Sequence, residues 1–364
     1  MSRTIIVSNR LPIKISNLDK SFEFSSTSGG LATGMKSIHK KNNFLWIGWP
    51  GIDKKSLGNN LAKAEKLLHK KNYIPVFLRK KEINDFYYGT SNEALWPLFH
   101  YFIEFSIFNK AHWKSYVNVN KKFADCVIKY AKKDDIIWVH DYQLLLCPRM
   151  IKTKRPDLTV GFFLHIPFPS FEIFRIFPWR EELLEGILGS DLIGFHTYDY
   201  VRHFLSSVKR ILKYDVIFNK INVGSREVLV DTFPMGIDYA KYNDAARKKN
   251  KQKRSEMSNL RLQLKDHKKT SSDSKLILSI DRLDYTKGVI NRIKAFEIFL
   301  TNNPEHRGKV RLIMLTVPSR SDVNDYIKLK KQTDEIVGRV NGKFASVNWT
   351  PIWYYYRSMS FDEL

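Results

Sequence analysis

Short runs of β-branched and aromatic residues recur along the chain, each followed by turn residues and then by a helical spacing of apolar positions. Thr4–Ser8 is the first run, and Phe44–Gly48 is the next, closed by Trp49–Pro50–Gly51. Asp135–Val139 leads into His140–Asp141 and a helical stretch over Tyr142–Ile151. Val160–Leu164 runs into His165, with Pro167 and Pro169 turning the chain. Asp191–Phe195, Val228–Phe233, Lys275–Ile280 and Val310–Thr316 complete the series. Strands that alternate with helices predict right-handed βαβ units and a mostly parallel sheet, hence an α/β fold.

Polar residues concentrate at one place in this pattern. Asn9 and Arg10, Asp141, His165, Arg282 and Arg320 each lie just past the carboxyl end of an expected strand. In open α/β sheets the ligand crevice sits outside those ends, so these positions are expected to line one site. The 364 residues exceed what a single hydrophobic core usually organises, and the series breaks near Gly236–Tyr239, after Phe233–Pro234. Two domains are therefore expected, 1–236 and 237–364. A lysine-rich connection, 241–274, precedes the run at Lys275. Its Met257, Leu260 and Leu264 have helical spacing without a strong apolar face, which reads as an exposed helix and connection.

Composition narrows the function. Hydrophobic residues make up 43% of the chain and aromatics 13%, enough for packed cores and too much for disorder. The net charge of +24 admits either nucleic-acid binding or a cleft for phosphorylated small molecules. The charge is spread widely, with one dense run at Arg247–Lys269, and none of the common nucleic-acid modules is legible. Those features argue against nucleic acid as the main ligand. Cys126 and Cys147 have neither metal-ligand spacing nor partners for a disulfide framework, which suits a reducing compartment. No signal peptide is expected, because Ile5–Val7 is too short an apolar run. Leu98–Phe108 is broken by His100 and Glu104 and is too short for a bilayer. The expectation is a soluble cytoplasmic chain without a metal, and homo-oligomerisation stays open.

The candidate chemistry sits in a few motifs. Gly29 and Gly30 lie between the first strand and a helix expected over Leu31–Lys40. Glycine lets backbone approach a ligand, and a helix N-terminus favours anions; an ordinary glycine turn fits the same residues. Asp281–Gly288 places Arg282 and Lys287 on a strand-to-helix turn. Arginine offers a rigid fork for phosphate oxygens and lysine a mobile point charge, so a diphosphate suits this turn; the competing reading is a salt-bridged surface loop. Asp141 serves as base, hydroxyl acceptor or helix N-cap, and taken alone the cap is the simpler reading. His165 follows a nearly uninterrupted apolar strand and is either a satisfied core residue or a functional group. Arg10 and Arg320 are isolated cations that, with Arg282 and Lys287, would equip a cleft for two phosphorylated ligands. Tyr87 and Trp96 suit packing against a sugar ring, or plain hydrophobic packing.

Taken in order, Val7–Ser8–Asn9–Arg10, Gly29–Gly30–Leu31, Leu95–Trp96–Pro97 and Trp138–Val139–His140–Asp141–Tyr142 resemble the trehalose-6-phosphate synthases. So do the runs Gly161–Pro169, Arg282–Gly288 and Gly338–Lys343, so that the resemblance covers essentially the whole chain except Arg247–Ser274. It implies a GT-B fold, with two Rossmann-like domains facing across a cleft, the second incomplete. It implies retaining transfer of glucose from UDP-glucose, a co-substrate, to glucose 6-phosphate, with no cofactor and no metal. Arg10, Tyr87, Trp96, Asp141 and Arg320 match acceptor-side residues. Gly29, Gly30, Arg282 and Lys287 match donor-diphosphate contacts, and His165 matches a residue near the transferred sugar. The implied chemistry is attack on the face that the nucleotide leaves, through an oxocarbenium-like state. Arg282 and Lys287 would neutralise the departing diphosphate, while Arg10, Arg320 and Asp141 align the acceptor.

Two departures from the family pattern stand out. Tyr88 and Thr90 replace the more usual Asn and Phe, which changes the acceptor pocket. The chain ends at Asp362–Glu363–Leu364, before the family's Asp-Gly-Met-Asn segment and its ribose-binding glutamate. A truncated chain is therefore expected, with apolar sheet edges left exposed in the second domain. The alternatives are a glucosylglycerol-phosphate synthase-like transferase and a truncated, non-catalytic chain that binds sugar phosphates.

Overall fold

The apolar runs become the strands of separate sheets in the computed structural model, which describes residues 3–18, 21–26, 44–251, 261–262, 274–319, 323–361 and 363–364. Two units are distinguished, Met1–Ile237 and Asp238–Leu364. In the first unit the strands are β1 (Thr4–Arg10), β2 (Ile13–Leu18), β3 (Ser21–Ser26), β4 (Phe44–Trp49), β5 (Tyr73–Pro75) and β6 (Ile136–His140). They continue with β7 (Thr159–Phe163), β8 (Leu192–Phe195), β9 (Val216–Ile217), β10 (Lys220–Val223) and β11 (Arg226–Thr232). Its longer helices are α1 (Leu61–His69), α2 (Lys110–Tyr130), α3 (Cys147–Lys154), α4 (Arg180–Ile187) and α5 (Tyr198–Ser207).

Nine strands form one sheet in the order β5-β4-β1-β6-β7-β8-β11-β10-β9, while β2 and β3 pair as a separate hairpin. Ile5, Ile6 and Val7 of β1 are fully buried, as a central strand covered on both faces requires. β1 pairs in parallel with β4 on one side and β6 on the other. The chain therefore builds outward from β1 through β4 and β5, returns by α2, and builds outward again through β6, β7 and β8. That reversal of strand order is a switch point between β1 and β6, where an open sheet holds its ligand.

Three local expectations change. β1 runs on through Arg10 past a break in register after Val7, so Asn9 and Arg10 belong to the strand and not to the turn behind it. The helix expected over Tyr142–Ile151 is a 3₁₀ turn at Tyr142–Leu144 followed by α3, whose first turn contains Pro148. Proline fits there because the first helical N–H groups have no partner in the helix. The sheet ends in an antiparallel β9–β10–β11 arrangement, turned between β10 and β11 at Gly224, φ 61°.

The second unit carries α6 (Tyr239–Lys251), β12 (Lys275–Arg282), α7 (Val289–Asn302), β13 (Val310–Val317), α8 (Asn324–Phe344) and β14 (Ile352–Tyr356). Its three strands are parallel in the order β12-β13-β14. Val289, Ile293, Phe296 and Leu300 form the buried stripe of α7 and share a core with Leu312 and Met314 of β13. The Gly338–Lys343 run is scaffold here: Arg339 grips Glu297 through two bonds of 2.6 and 2.9 Å, and the Asn341 amide bonds both main-chain groups of Ile352. β12 lies at the sheet edge with Ile277, Leu278 and Ile280 exposed. The helix expected over Leu31–Lys40 and most of the connection beyond Lys251 lie outside the described residues.

Two outcomes follow from this packing. A Cβ at Gly189, in the turn between α4 and β8, would overlap the main chain of Pro148 and Arg149 in α3. Gly189→Ala should lower the unfolding free energy by about 1–3 kcal/mol, read from the denaturant midpoint. Leu278→Lys puts a charge on the apolar β12 edge and should reduce concentration-dependent light scattering without lowering the melting temperature.

Candidate active site

Arg10 ends β1 in an aromatic setting. Its guanidinium carbon lies 4.5 Å from the centroid of the Trp49 ring, at the end of the neighbouring β4. Tyr87 stands 6.1 Å from Trp49, centroid to centroid, and Tyr88 packs edge-on against Tyr87 at 5.2 Å. Gly51, φ 85°, leaves room for the arginine, since a Cβ there would overlap the guanidinium. Burial lowers the Arg10 pKa, opposed by the nearby Tyr87 and Tyr88. The result is a pre-positioned cation with little water around it.

Tyr87 and Trp96 come from one continuous helical segment, whose middle, Ile83–Leu95, winds as a π-helix. Such windings are rare and concentrate at functional sites. Gly89 lets this segment press against His112 of α2, for a Cβ would run into the imidazole. Trp96 packs 5.6 Å from Tyr142, whose hydroxyl donates to Asn92 Oδ1 at 2.9 Å. The segment is thereby tied to the residue that follows Asp141.

Asp141 has φ 74° and ψ 168°. That region is essentially reserved for glycine and costs a side-chain-bearing residue about 1–3 kcal/mol. Three bonds hold the conformation. The Asp141 amide donates to Phe163 O at 2.8 Å, and its Oδ1 accepts from the amides of Tyr142 at 3.0 Å and His165 at 3.3 Å. Ordinary N-caps have extended backbone, so capping does not account for the strain. The same carboxylate ties the tip of β6 to the tip of β7.

His165 closes the group. Its Nε2 lies 3.0 Å from Nδ1 of the fully buried His140, and His196 hydrogen-bonds to the main chain of His165. Burial pushes the His165 pKa down to about 3, with His196 adding to the effect, and burial likewise holds His140 well below its usual value. Both rings are neutral across the ordinary pH range. They line an apolar cavity of about 420 Å³ together with Phe163 and Phe233. Buried polar atoms without a partner among the described residues collect in this part of the unit: Asn9 Oδ1, Ser91 Oγ and Asn92 Nδ2. Such atoms mark places where a ligand or water completes the bonding. A second cavity of about 250 Å³ lies at the amino ends of the strands, and its cations are already engaged, Lys152 with Asp191 and Arg226 with Leu188 O.

In the second unit, Arg282 ends β12 and Lys287 sits in a 3₁₀ turn ahead of α7; both are exposed. Asp284 is fully buried and fixes the turn, accepting from Thr286 N at 3.0 Å, Thr286 Oγ1 at 2.8 Å and Tyr326 OH at 3.0 Å. Gly288, φ 63°, leads into the helix. Arg292 of α7 pairs with Asp281 at 2.8 Å and donates to Lys287 O at 3.1 Å. The turn thus presents two cations at the amino end of a 14-residue helix, where main-chain N–H groups favour anions.

The first unit therefore gathers Arg10, Tyr87, Trp96, Asp141 and His165 at one sheet edge, and the second holds Arg282 and Lys287 on one turn. Gly29, Gly30 and Arg320 lie outside the described residues. Trp49, Gly51, Asn92 and His140 join the site without having been singled out by spacing. The Trp49–Pro50–Gly51 turn and the histidine beside Asp141 were the available signals. Among the described residues there is no group of three or more His, Cys, Asp or Glu able to hold a metal ion, and no helix long and apolar enough to cross a membrane.

Known proteins share this architecture. The model for glycosyltransferase family 20 matches residues 2–364. The chain is 43% identical over 372 residues to the UDP-forming α,α-trehalose-phosphate synthase of Candida albicans, over 100% of this chain and 75% of that protein. A Burkholderia xenovorans UDP-forming α,α-trehalose-phosphate synthase solved with glucose 6-phosphate is 28% identical with a TM-score of 0.82, over 99% of this chain and 76% of that one. The E. coli trehalose-6-phosphate structure bound with UDP-2-fluoro glucose is 30% identical with a TM-score of 0.85, over 99% and 75%. The two α/β units are those of a GT-B type fold. The chain belongs to glycosyltransferase family 20.

Proposed function

We propose that this chain is a retaining glycosyltransferase that moves glucose from UDP-glucose to glucose 6-phosphate, giving α,α-trehalose 6-phosphate and UDP. The observation that carries the reading is Asp141, held in a glycine-like conformation at the switch point beside a caged arginine and a neutral histidine. A fold retains such strain where the position of a carboxylate matters more than its cost. The relatives' names and ligands favour this reading over a glucosylglycerol-phosphate synthase or a non-catalytic chain.

In this mechanism the first unit, Met1–Ile237, receives the acceptor, and the second, Asp238–Leu364, receives the nucleotide sugar. Arg10 and Arg320 hold the 6-phosphate, Tyr87 and Trp96 flank the acceptor, and Asp141 accepts a hydrogen bond from an acceptor hydroxyl and so aims it. His165 bonds the transferred glucose. Arg282 and Lys287, with the amides at the start of α7 and at Gly29 and Gly30, stabilise charge on the departing diphosphate. The leaving phosphate oxygen takes the acceptor proton as the new bond forms on the same face. The reaction as written uses no cofactor beyond the co-substrate. The two cysteines are free thiols, which suits a cytoplasmic setting.

Incubation with UDP-glucose and glucose 6-phosphate should yield UDP and trehalose 6-phosphate, whereas product only with glycerol 3-phosphate would overturn the acceptor assignment. Arg282→Ala should lower kcat by about 10²–10³-fold while acceptor affinity holds. Asp141→Gly should melt higher than Asp141→Ala, against the usual order of these residues, with transfer lost in both. For pH, the folded His165 value of about 3 lies below the unfolded value of roughly 6.5. The unfolded chain therefore binds more protons between these values, and thermal stability should fall as pH drops through that window.

A further inference from the structure

The contact between His140 and His165 fixes more than a distance. Two neutral imidazoles that meet through Nδ1 and Nε2 at 3.0 Å share one proton, because two N–H groups cannot face each other and two bare nitrogens make no bond. Either His140 donates from Nδ1, or His165 donates from Nε2. The other nitrogen of His140 decides between them. That Nε2 is buried with no hydrogen-bond partner among the described residues. Were His165 the donor, His140 would carry its own proton on Nε2, as a buried N–H with no acceptor among the described residues. With His140 as donor, Nε2 is a bare lone pair, which needs no partner to the same degree. A buried donor left unbonded is the rarer and costlier outcome. The lowered pKa values of both rings keep either from carrying a second proton.

We infer that His140 is a positioning residue that, through its Nδ1, holds His165 in a single tautomer with the His165 proton on Nδ1. The functional consequence rests on the reading of His165 as the group facing the transferred sugar. His165 then meets a sugar oxygen as a neutral hydrogen-bond donor. The sugar hydroxyl is fixed as the acceptor, and no full positive charge stands beside a carbon that is itself becoming cationic.

The test begins with the ligand-free wild-type protein labelled with ¹⁵N-histidine, at neutral pH. A proton–nitrogen correlation spectrum resolves the tautomers of its ten histidines, and His165 is assigned by its loss in His165→Gln. The expected result is Nδ1 protonated and Nε2 bare at His165; the opposite tautomer overturns the proposal. His140→Asn keeps an amide donor near the Nδ1 position, and His140→Phe removes it. In His140→Phe the His165 tautomers should mix and kcat should fall roughly five- to tenfold with little change in the donor KM, about the worth of one hydrogen bond. His140→Asn should restore most of both. A His140→Phe protein with the wild-type tautomer and rate overturns the proposal, and if that variant does not fold, the wild-type spectrum and the Asn variant decide. A wild-type chain that makes no product yet shows the Nδ1 proton supports the tautomer and refutes only the sugar-transfer reading.

Discussion

The parallel pairing of β1 with β6 is the constraint on which the first unit's chemistry depends. Val7 pairs with Val139, so Arg10 and Asp141 emerge from adjacent strands three and two residues further on. No loop has to find this arrangement. It follows once the apolar faces of both strands are buried, because a slip of one residue would turn every side chain to the other face. His165 is drawn in by the next pairing, β6 with β7, where His140 lies opposite Phe163.

What the site holds is fixed in advance of any ligand. The arginine is stacked on Trp49, the aspartate is bonded through both its amide and its carboxylate, and the histidine is bonded to a second histidine. Each restraint removes a motion that a ligand at this edge would otherwise have to freeze. The strain at Asp141 and the unpartnered polar atoms nearby are the stability given up for that order. The turn between β12 and α7 uses the same device, with buried Asp284 anchoring a loop whose cations stay exposed.

Much of this was legible in the sequence because strands end visibly. A run such as Ile136–His140 stops being apolar where its polar tip begins, and Arg10, Asp141 and His165 were all found by that change. The π-helix at Ile83–Leu95 was not legible, since its winding leaves neither a two-residue nor a 3.6-residue period. The antiparallel β9–β10 end is too short to show alternation, whereas Ile13–Lys14–Ile15 and Phe22–Glu23–Phe24 of the β2–β3 hairpin do alternate, a period-2 signal that a search for continuous apolar runs overlooks. Asp141 shows the limit most sharply. Its residue type and position suit a cap, and only backbone angles reveal that it is under strain. His140 was passed over because its partner lies 25 residues away in sequence.

The vacancy at Gly51 has a consequence for how this protein can vary. Arg10 fills the volume that any side chain at position 51 would need. The two positions are therefore not independent letters: a residue larger than glycine at 51 meets both the guanidinium and the strain of φ 85°, and losing the arginine relieves only the first. Substitutions at the pair should combine non-additively, because a side chain at position 51 can be housed only by moving the guanidinium off the place where it now rests.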